Sequence, residues 1–444
     1  MTGRLAYFAF WFPPSRASGV YRALETVRAF TDQGWDVTVY TVDAEYLTDV
    51  VGSTDETLLD LIPAEAEVVR VALPRPAGTV ADVRSISRLH ASFPNVVQKL
   101  RSIRRRMVTR WRLWRGRGVD GFDDPYVEWI DPLVDAVTDS HGSGPRPFDV
   151  VLATGNPFSA FEAARLAGQK LGIPFIVDYR DPWTIDVFDG TRAGVGSGAE
   201  AVEAAIVDEA AGVIHVNEPI AAAYRRLYPG TEDKHHVVVN GFDRESLREI
   251  AAAPSDRGIR FGTLGTINAK WPLDELIDGY GRARPDLPDG SEFHLAGHLG
   301  YFDRSAAEIE DGLPDPSSGF RYVGPVPKRE VGRFYDSIDV VVVLAPGGPM
   351  VTSGKIFEAV AQGIPIVVVQ DEGGGARTVI EGRDAAFAAT PDPTDIASAL
   401  VAAAAAAATQ SVDEQRAIRL AMERYERARA LELLVELAEA SRVG

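Results

Sequence analysis

The sequence predicts an α/β chain of two doubly wound halves, each a parallel sheet covered by helices. Three observations predict it. Short apolar runs alternate with helical patterns over most of the 444 residues, which is the rhythm of βαβ units. That rhythm breaks once, over 244–258, and then restarts. The length itself suits two or three domains, with room for two sizeable cores.

In the first half, strands are expected at 5–12, 36–42, 149–153, 174–178, 213–216 and 236–239, with helices over 21–33, 157–171 and 199–211. Gly34 and Gly172 stand where two of these helices should stop. Residues 45–95 are polar with scattered apolar positions and are assigned only loosely. The segment 244–258 is charged, Ala-rich and interrupted by Pro254, and reads as a helix plus linker. In the second half, strands are expected at 260–264, 293–296, 320–323, 340–344 and 364–369. The helices between them fall at 273–284, 304–311, 328–336 and 355–362, and a long helical pattern covers 412–440. The expected domains are therefore 1–243, with a basic insertion at about 98–117, and 259–424, joined by 244–258 and followed by a final helix at 425–444.

Hydrophobic residues make up 45% and charged residues 25%, an ordinary globular balance. A net charge of −18 argues against general affinity for nucleic acid. With no Cys, disulfides and thiolate chemistry are excluded. No charged leader precedes a long apolar stretch, and the longest apolar run, 401–408, is too short to span a bilayer. A cytoplasmic location is expected. Within this acidic chain, 98–117 carries Arg101, Arg104, Arg105, Arg106, Arg110, Arg112, Arg115 and Arg117 among Trp111 and Trp114. Such a segment suits peripheral contact with the inner face of an anionic membrane. It equally suits a phosphorylated, lipid-linked acceptor, a soluble acidic acceptor, or a solvated helix face paired with acidic neighbours.

Ligands of a doubly wound sheet bind beyond the carboxyl ends of its strands, so the residues just after each strand are the informative ones. After the first strand comes Pro13-Pro14-Ser15-Arg16-Ala17-Ser18-Gly19. Gly19 allows close backbone approach to a ligand, and a helix N-terminus offers free amides; an ordinary strand–helix loop is the alternative. Asp178-Tyr179-Arg180-Asp181-Pro182-Trp183 follows another strand. Three charges there are costly to bury unless paired or used, so they serve either sugar or acceptor hydroxyls or a structural ion pair. Gly265-Thr266-Ile267-Asn268-Ala269-Lys270 is a small turn with one Lys, suited to a pyrophosphate or simply to the surface. His298, flanked by Gly297 and Gly300, is either a ligand contact or a structural histidine.

The sharpest signal is Gly347-Gly348-Pro349-Met350-Val351-Thr352-Ser353-Gly354-Lys355-Ile356-Phe357-Glu358. A glycine-rich loop feeds a helix starting near Ser353, Gly354 and Lys355, an arrangement that attracts anions. Glu358 lies on the same face as Lys355. A carboxylate there repels phosphate but accepts hydrogen bonds from both ribose hydroxyls. A plain Lys–Glu surface pair is the alternative. The spacing is not Gly-x-x-x-x-Gly-Lys-[Ser/Thr], and no Gly-x-Gly-x-x-Gly follows the first strand.

Together these residues resemble the GT4-type glycosyltransferases of the GT-B fold, in particular a bacterial branch with an Asp-[Phe/Tyr]-Arg-Asp-Pro-Trp motif. Gly34-Trp35-Asp36-Val37, Asn240-Gly241-Phe242-Asp243, Asp124-Pro125-Tyr126 with Trp129, and Ser353-Gly354-Lys355-Ile356-Phe357-Glu358-Ala359 followed by Gly363-Ile364-Pro365 carry the likeness. It spans about 5–430, apart from roughly 45–120. The resemblance implies two Rossmann-like domains facing across a cleft, with the C-terminal helix returning to the first. It implies a retaining transfer from a nucleotide-diphosphate sugar to a glycan, lipid-linked or small-molecule acceptor. Glu358 would hold the ribose, Lys355 and Lys270 would serve the diphosphate, and Gly19 would lie beneath it. Gly265, Thr266, Asn268, His298, Val326, Ser353 and Gly354 complete the expected donor site. The loop 324–327 would face the nucleobase. Ser15, Arg16, Asn156, Asp178 and Arg180 form the expected acceptor site, and Lys270, Lys355, Arg180 and Asp181 the catalytic set.

Three departures from the family pattern stand out. Met350 occupies the position eight before Glu358 where the family often has Glu. No Arg precedes Lys270, and Arg180 stands where a His is often found. Because no Asp-x-Asp occurs, neither a metal nor any other cofactor is expected beyond the nucleotide-sugar co-substrate. The rival readings are a nucleotide-sugar epimerase of similar fold and a non-catalytic nucleotide-sugar-binding protein.

Overall fold

In the computed structural model the chain forms two compact units. The structure describes residues 3–443 other than 18, 52–53, 75–123, 125, 145, 193–197, 253–256, 268–270, 301–305, 346 and 353. The basic segment 98–117, with the partner contact expected of it, lies outside the described residues. Unit 1 comprises Met1–Asp186, Thr191–Val238 and Leu431–Gly444, and unit 2 comprises Val187–Gly190 and Val239–Ala430.

Unit 1 is built on a seven-stranded parallel sheet. Its strands are β1 (Arg4–Ala9), β2 (Asp36–Val42), β3 (Glu67–Val71), β4 (Val150–Gly155), β5 (Phe175–Tyr179), β6 (Gly212–His215) and β7 (His235–Val237), in the order β3-β2-β1-β4-β5-β6-β7. Leu5 lies beside Val37 on one side and Val150 on the other. Its main helices are α1 (Val20–Asp32), α2 (Ile130–Ser143), α3 (Ser159–Leu171), α4 (Gly198–Glu209) and α5 (Glu218–Leu227). Gly172 closes α3 in the left-handed conformation, φ 68°, where glycine carries no Cβ penalty.

Unit 2 has six parallel strands: β8 (Arg260–Leu264), β9 (Glu292–Ala296), β10 (Phe320–Gly324), β11 (Val340–Leu344), β12 (Ile366–Val369) and β13 (Ala386–Ala389). Their order is β10-β9-β8-β11-β12-β13. Its helices are α6 (Leu273–Ala283), α7 (Ala306–Asp311), α8 (Val331–Asp336), α9 (Lys355–Ala361), α10 (Gly375–Ile380), α11 (Pro393–Thr409) and α12 (Val412–Met422). The last helix, α13 (Arg427–Val443), starts in unit 2 and passes into unit 1 at Leu431. The sheets need helices on both faces where their strands run through the middle: every residue of β4 and of β11 is buried. Phe261, Phe293 and Phe320 stack in register across β8, β9 and β10, with centroids 6.3 and 4.8 Å apart. The strand order reverses between β1 and β4, and again between β8 and β11. Those two switch points are where a ligand crevice opens in this architecture.

The chain departs from the expected elements in three places. The pattern over 412–440 is two helices, not one. The 3₁₀ turn Glu423–Tyr425 interrupts it because the backbone there pairs with Phe242: Phe242 N–H donates to Tyr425 O at 3.2 Å and Arg427 N–H to Phe242 O at 2.9 Å. The segment after Asp243 forms only a 3₁₀ turn, Arg244–Ser246, before continuing without helix to residue 252. Side chains take its amides instead, Gln362 Oε1 accepting from Arg248 and Asp336 Oδ1 from Glu249, both at 2.8 Å. Strands β3 and β13 and helices α2, α5, α10 and α11 were absent from the expected set. Helix α11 is Ala-rich and lacks an amphipathic stripe. It is capped by Asp392 and packs against α6 at Gly279, where a Cβ would come 2.6 Å from Ile396. No single helix among the described residues is long and apolar enough to cross a membrane.

Beneath β6 and β7 a chain of polar groups fixes two histidines as neutral. Thr231 Oγ1 donates to Tyr228 O at 2.7 Å, so it must accept from His235 Nε2 at 3.0 Å. His235 Nδ1 then accepts from His215 Nε2 at 2.9 Å, and the buried His215 Nδ1 keeps a bare lone pair. Burial first, and then nearby cationic groups including Arg225, pushes His235 down to about 4 and His215 below the usual histidine range. A base with a depressed folded pKa contributes fully above the unfolded value of about 6.5 and progressively destabilises the fold as pH falls below it. Urea midpoints should therefore drop between pH 6.5 and about 4. His235→Gln should flatten that slope by up to about one proton.

Candidate active site

The loop between β1 and α1 places its expected residues unequally. Ser15 is fully buried, and its Oγ accepts the Ala17 N–H at 3.2 Å, so it is turned into the loop and away from any acceptor. Arg16 is exposed, and Ser18 lies outside the described residues. Gly19 has a φ of −72°, which any residue adopts. What requires glycine is proximity, since a Cβ there would overlap the Arg180 guanidinium. Arg180 Nε donates to Gly155 O, and one of its terminal nitrogens to Asn156 O at 3.5 Å. Burial lowers its pKa, against an upward pull from Asp178 and Asp181. It remains a cation. Asn156, whose carbonyl accepts from Arg180, and Asp181, its neighbour in sequence, are both exposed.

The Asp178–Trp183 motif divides into scaffold and surface. Asp178, expected to touch the acceptor, is 1% exposed. It accepts from Arg22 Nε and Nη2, both at 2.8 Å, and from Thr154 Oγ1 at 3.3 Å. Its oxygens are committed to tying α1 to the sheet, and this corrects its expected role. Trp183 stacks on Phe158 at 5.1 Å and 11°. Its amide donates to Tyr224 Oη, which in turn donates to the fully buried Glu203 at 2.6 Å. Tyr228 donates to the same carboxylate at 2.8 Å, and Thr184 also hydrogen-bonds it. Burial raises Glu203 above the usual carboxylate range, partly offset by these donors. Only Arg180 and Asp181 of the motif's charged residues are left for a ligand.

In unit 2 the loops after β8, β9 and β10 continue the pairing of their strands. Gly265 N–H donates to Ala296 O at 3.0 Å, Ile267 N–H to His298 O at 2.9 Å, and Gly297 N–H to Gly324 O at 2.9 Å. Gly297 has a φ of 126°, and a Cβ there would collide with the Gly265 carbonyl. Gly265, Thr266 and His298 are thus brought side by side, with Gly324 next in line and Val326 half-buried beyond it. Thr266 and His298 are exposed, and a Cβ on Gly265 would meet open space. Asn268 and Lys270 lie outside the described residues.

At the neighbouring end of β11, the loop is shaped by the buried Gln370. Its Nε2 donates to Val351 O at 3.1 Å, and its Oε1 accepts from Ala376 N–H at 2.9 Å. Met350 is buried, with its terminal methyl close to Gly190. Ser353 is outside the described residues, and Gly354 stands next to Asn240, its Cβ position 3.8 Å from Asn240 Nδ2. Helix α9 runs for only seven residues, so the charge of Lys355 counts for more than the helix dipole. Lys355 Nζ lies 3.5 Å from Glu358 Oε1, with the side chains 43% and 17% exposed. Tyr335, on α8, donates to the same oxygen at 2.9 Å. Nothing in the sequence marked Tyr335, because its helix carries no motif and only the packing of α8 brings it to Glu358. Arg22 was missed for a related reason: an arginine on an amphipathic helix reads as surface. Among the described residues no cluster of three or more His, Asp or Glu side chains is placed to hold a metal ion.

Comparison with known proteins follows this division into units. Residues 19–241 match the family model of the glycosyl transferase 4-like domain, and residues 258–405 that of the glycosyl transferases group 1. No curated protein sequence matches the chain. Among solved structures it is similar to Anabaena HepE in complex with UDP, with 13% identity, a TM-score of 0.62, and 99% of this chain and 100% of that one covered. It is also similar to a sucrose-phosphate synthase from Thermosynechococcus elongatus, with 14% identity, a TM-score of 0.60 and coverage of 99% and 98%. A putative UDP-N-acetylglucosamine 2-epimerase from Listeria monocytogenes shares the architecture at 10% identity, with a TM-score of 0.55 and coverage of 99% and 96%. Identities this low speak for the fold alone, which here hosts more than one chemistry.

Two outcomes test the roles assigned in unit 1. Asp178→Ala should cost about 3–5 kcal/mol in urea unfolding, because Arg22 is left charged and buried, whereas the double variant Arg22→Met/Asp178→Leu should recover most of it. Gly19→Ala should leave the unfolding midpoint nearly unchanged while displacing the Arg180 guanidinium. Its activity should fall about as far as that of Arg180→Ala, with equal single and double variants showing that the two act as one unit.

Proposed function

The chain belongs to the glycosyltransferases, its first half to the glycosyl transferase 4-like family, and on that footing we propose that it moves a sugar from a nucleoside-diphosphate sugar to an acceptor hydroxyl, with retention and without a metal. The observation that carries this reading is the Lys355–Glu358–Tyr335 group at the carboxyl end of β11. A cation and an oriented carboxylate one helical turn apart suit the two ends of a nucleotide's sugar–phosphate portion. Lys355 faces the diphosphate, and Glu358 accepts from the ribose hydroxyls. The UDP held by similarly folded Anabaena HepE supports a nucleoside diphosphate as the leaving group.

In the transfer, the bond from the anomeric carbon to the β-phosphate oxygen breaks while the acceptor oxygen attacks from the same face. The hydroxyl proton passes to the departing phosphate oxygen, so no separate protein base is needed. Charge grows on the diphosphate as this happens, and fixed cations stabilise it most at that moment. Lys355 supplies one such cation and Lys270 a second. On the acceptor side the reading assigns Arg16, Asn156, Arg180 and Asp181.

The test is binding and turnover by the full chain. Glu358→Ala should weaken nucleoside diphosphate binding about a hundredfold or more, since two hydrogen bonds to a charged group are lost. Lys355→Ala should lower kcat, and transfer should be unchanged in EDTA. Unaltered nucleotide affinity in Glu358→Ala would remove the basis for the placement, and loss of transfer in EDTA would remove the metal-free step.

A further inference from the structure

We propose that Tyr335 is a positioning residue for Glu358, and that this buried phenol makes the enzyme select ribonucleotide over 2′-deoxyribonucleotide donors. The inference rests on the reading of Glu358 as the ribose-binding group. A carboxylate that is to receive two neighbouring hydroxyls must present its oxygens in one fixed plane. A free glutamate rotates about its last torsion, which is broad and soft. Among the described residues, Tyr335 and Lys355 both approach Glu358 at Oε1. They are not equivalent. Lys355 is 43% exposed and 3.5 Å away, and an ion pair that open to water contributes little. Tyr335 is 2% exposed and donates at 2.9 Å. Burial, and then Glu358 itself, holds its pKa well above the usual phenol range, so it keeps its proton and stays a donor.

The surroundings of this pair are fixed as well. Tyr335 packs edge-on against Phe334, with centroids 5.8 Å apart. The turn after Asp243 ties its helix in place through Glu249 N–H to Asp336 Oδ1 at 2.8 Å. The far end of α9 is tied to the same turn, where Gln362 accepts from Arg248 N–H at 2.8 Å and donates to Glu358 O at 3.0 Å. Next to Glu358, Phe357 packs on Tyr425 with centroids 5.1 Å apart. The carboxylate is therefore aimed, with Oε1 held by the phenol and Oε2 turned to the remaining directions. An ionised carboxylate offers about four acceptor positions, so the phenol leaves room for two hydroxyls. A donor lacking the 2′-hydroxyl leaves one position of an aimed, half-desolvated anion unfilled, and that mismatch is what discriminates.

The experiment measures the affinities of UDP, GDP, ADP and CDP, and of their 2′-deoxy forms, for the full chain by calorimetry. The native protein should favour the best-bound ribonucleotide over its deoxy form by about 10–100-fold. Tyr335→Phe keeps the ring and removes only the donor, and it should shrink that ratio about fivefold or more while kcat holds and the donor KM rises. Glu358→Gln should abolish the ratio, and adding Tyr335→Phe to it should change nothing further. General loosening of the fold would weaken both nucleotides alike and leave their ratio intact, so the ratio separates positioning from stability. If Tyr335→Phe keeps the native ratio while Glu358→Gln loses it, the role of Tyr335 is overturned and that of Glu358 stands. If none of the four ribonucleotides binds, or Glu358→Gln keeps both affinity and ratio, the ribose-binding reading falls and this inference with it.

Discussion

A parallel sheet covered by helices on both faces leaves only the ends of its strands for polar chemistry. Strands β4 and β11 are buried along their whole length, so no charged side chain can stand on them without a partner. Asp178, buried on β5, survives because Arg22 meets it with two hydrogen bonds. Everything a ligand can touch is pushed into the loops that follow the strands. In unit 1 the loops after β1, β4 and β5 carry Arg16, Asn156 and Arg180. In unit 2 they are the turns at Gly265, His298 and Gly354. The covering of the sheets thus decides where the enzyme can work before any particular residue is considered.

The same constraint explains how much could be read from the sequence. Strands buried on both faces are unbroken apolar runs, and glycine-rich turns punctuate them, so the two-domain α/β architecture and the position of the loops were legible. So was the pairing of Lys355 with Glu358, because spacing along a helix fixes which side chains meet. What depended on three-dimensional contact was not. Tyr335 reaches Glu358 from another helix, and Arg22 reaches Asp178 from a helix whose pattern is that of a surface element. Ser15 looked available in its loop and proves buried. The long helical pattern at the C-terminus concealed a break because its cause, the backbone of Phe242, is far away in sequence.

Motif residues also divide more sharply than a sequence pattern suggests. Along Asp178–Trp183 the roles divide by burial: Asp178 and Tyr179 are buried on opposite faces of the sheet, Trp183 packs on Phe158, and Arg180 and Asp181 are what remains less covered. The scaffold half and the working half of such a motif answer to different pressures. Glu203 belongs to the first kind, a buried acid satisfied by hydroxyl donors and placed under the motif to hold its tryptophan end.

The final helix has a consequence for how the gene can be cut. Its last turns lie in unit 1, where Leu431, Leu434, Val435 and Ala438 are buried. Arg442 there stands over Trp35 at 5.4 Å and 3.7 Å from Asp149. Unit 1 is thus completed by a segment that follows the whole of unit 2 along the chain. Expressed without its tail, it would carry an open apolar seam, so a soluble half-protein has to be assembled by grafting that helix back on.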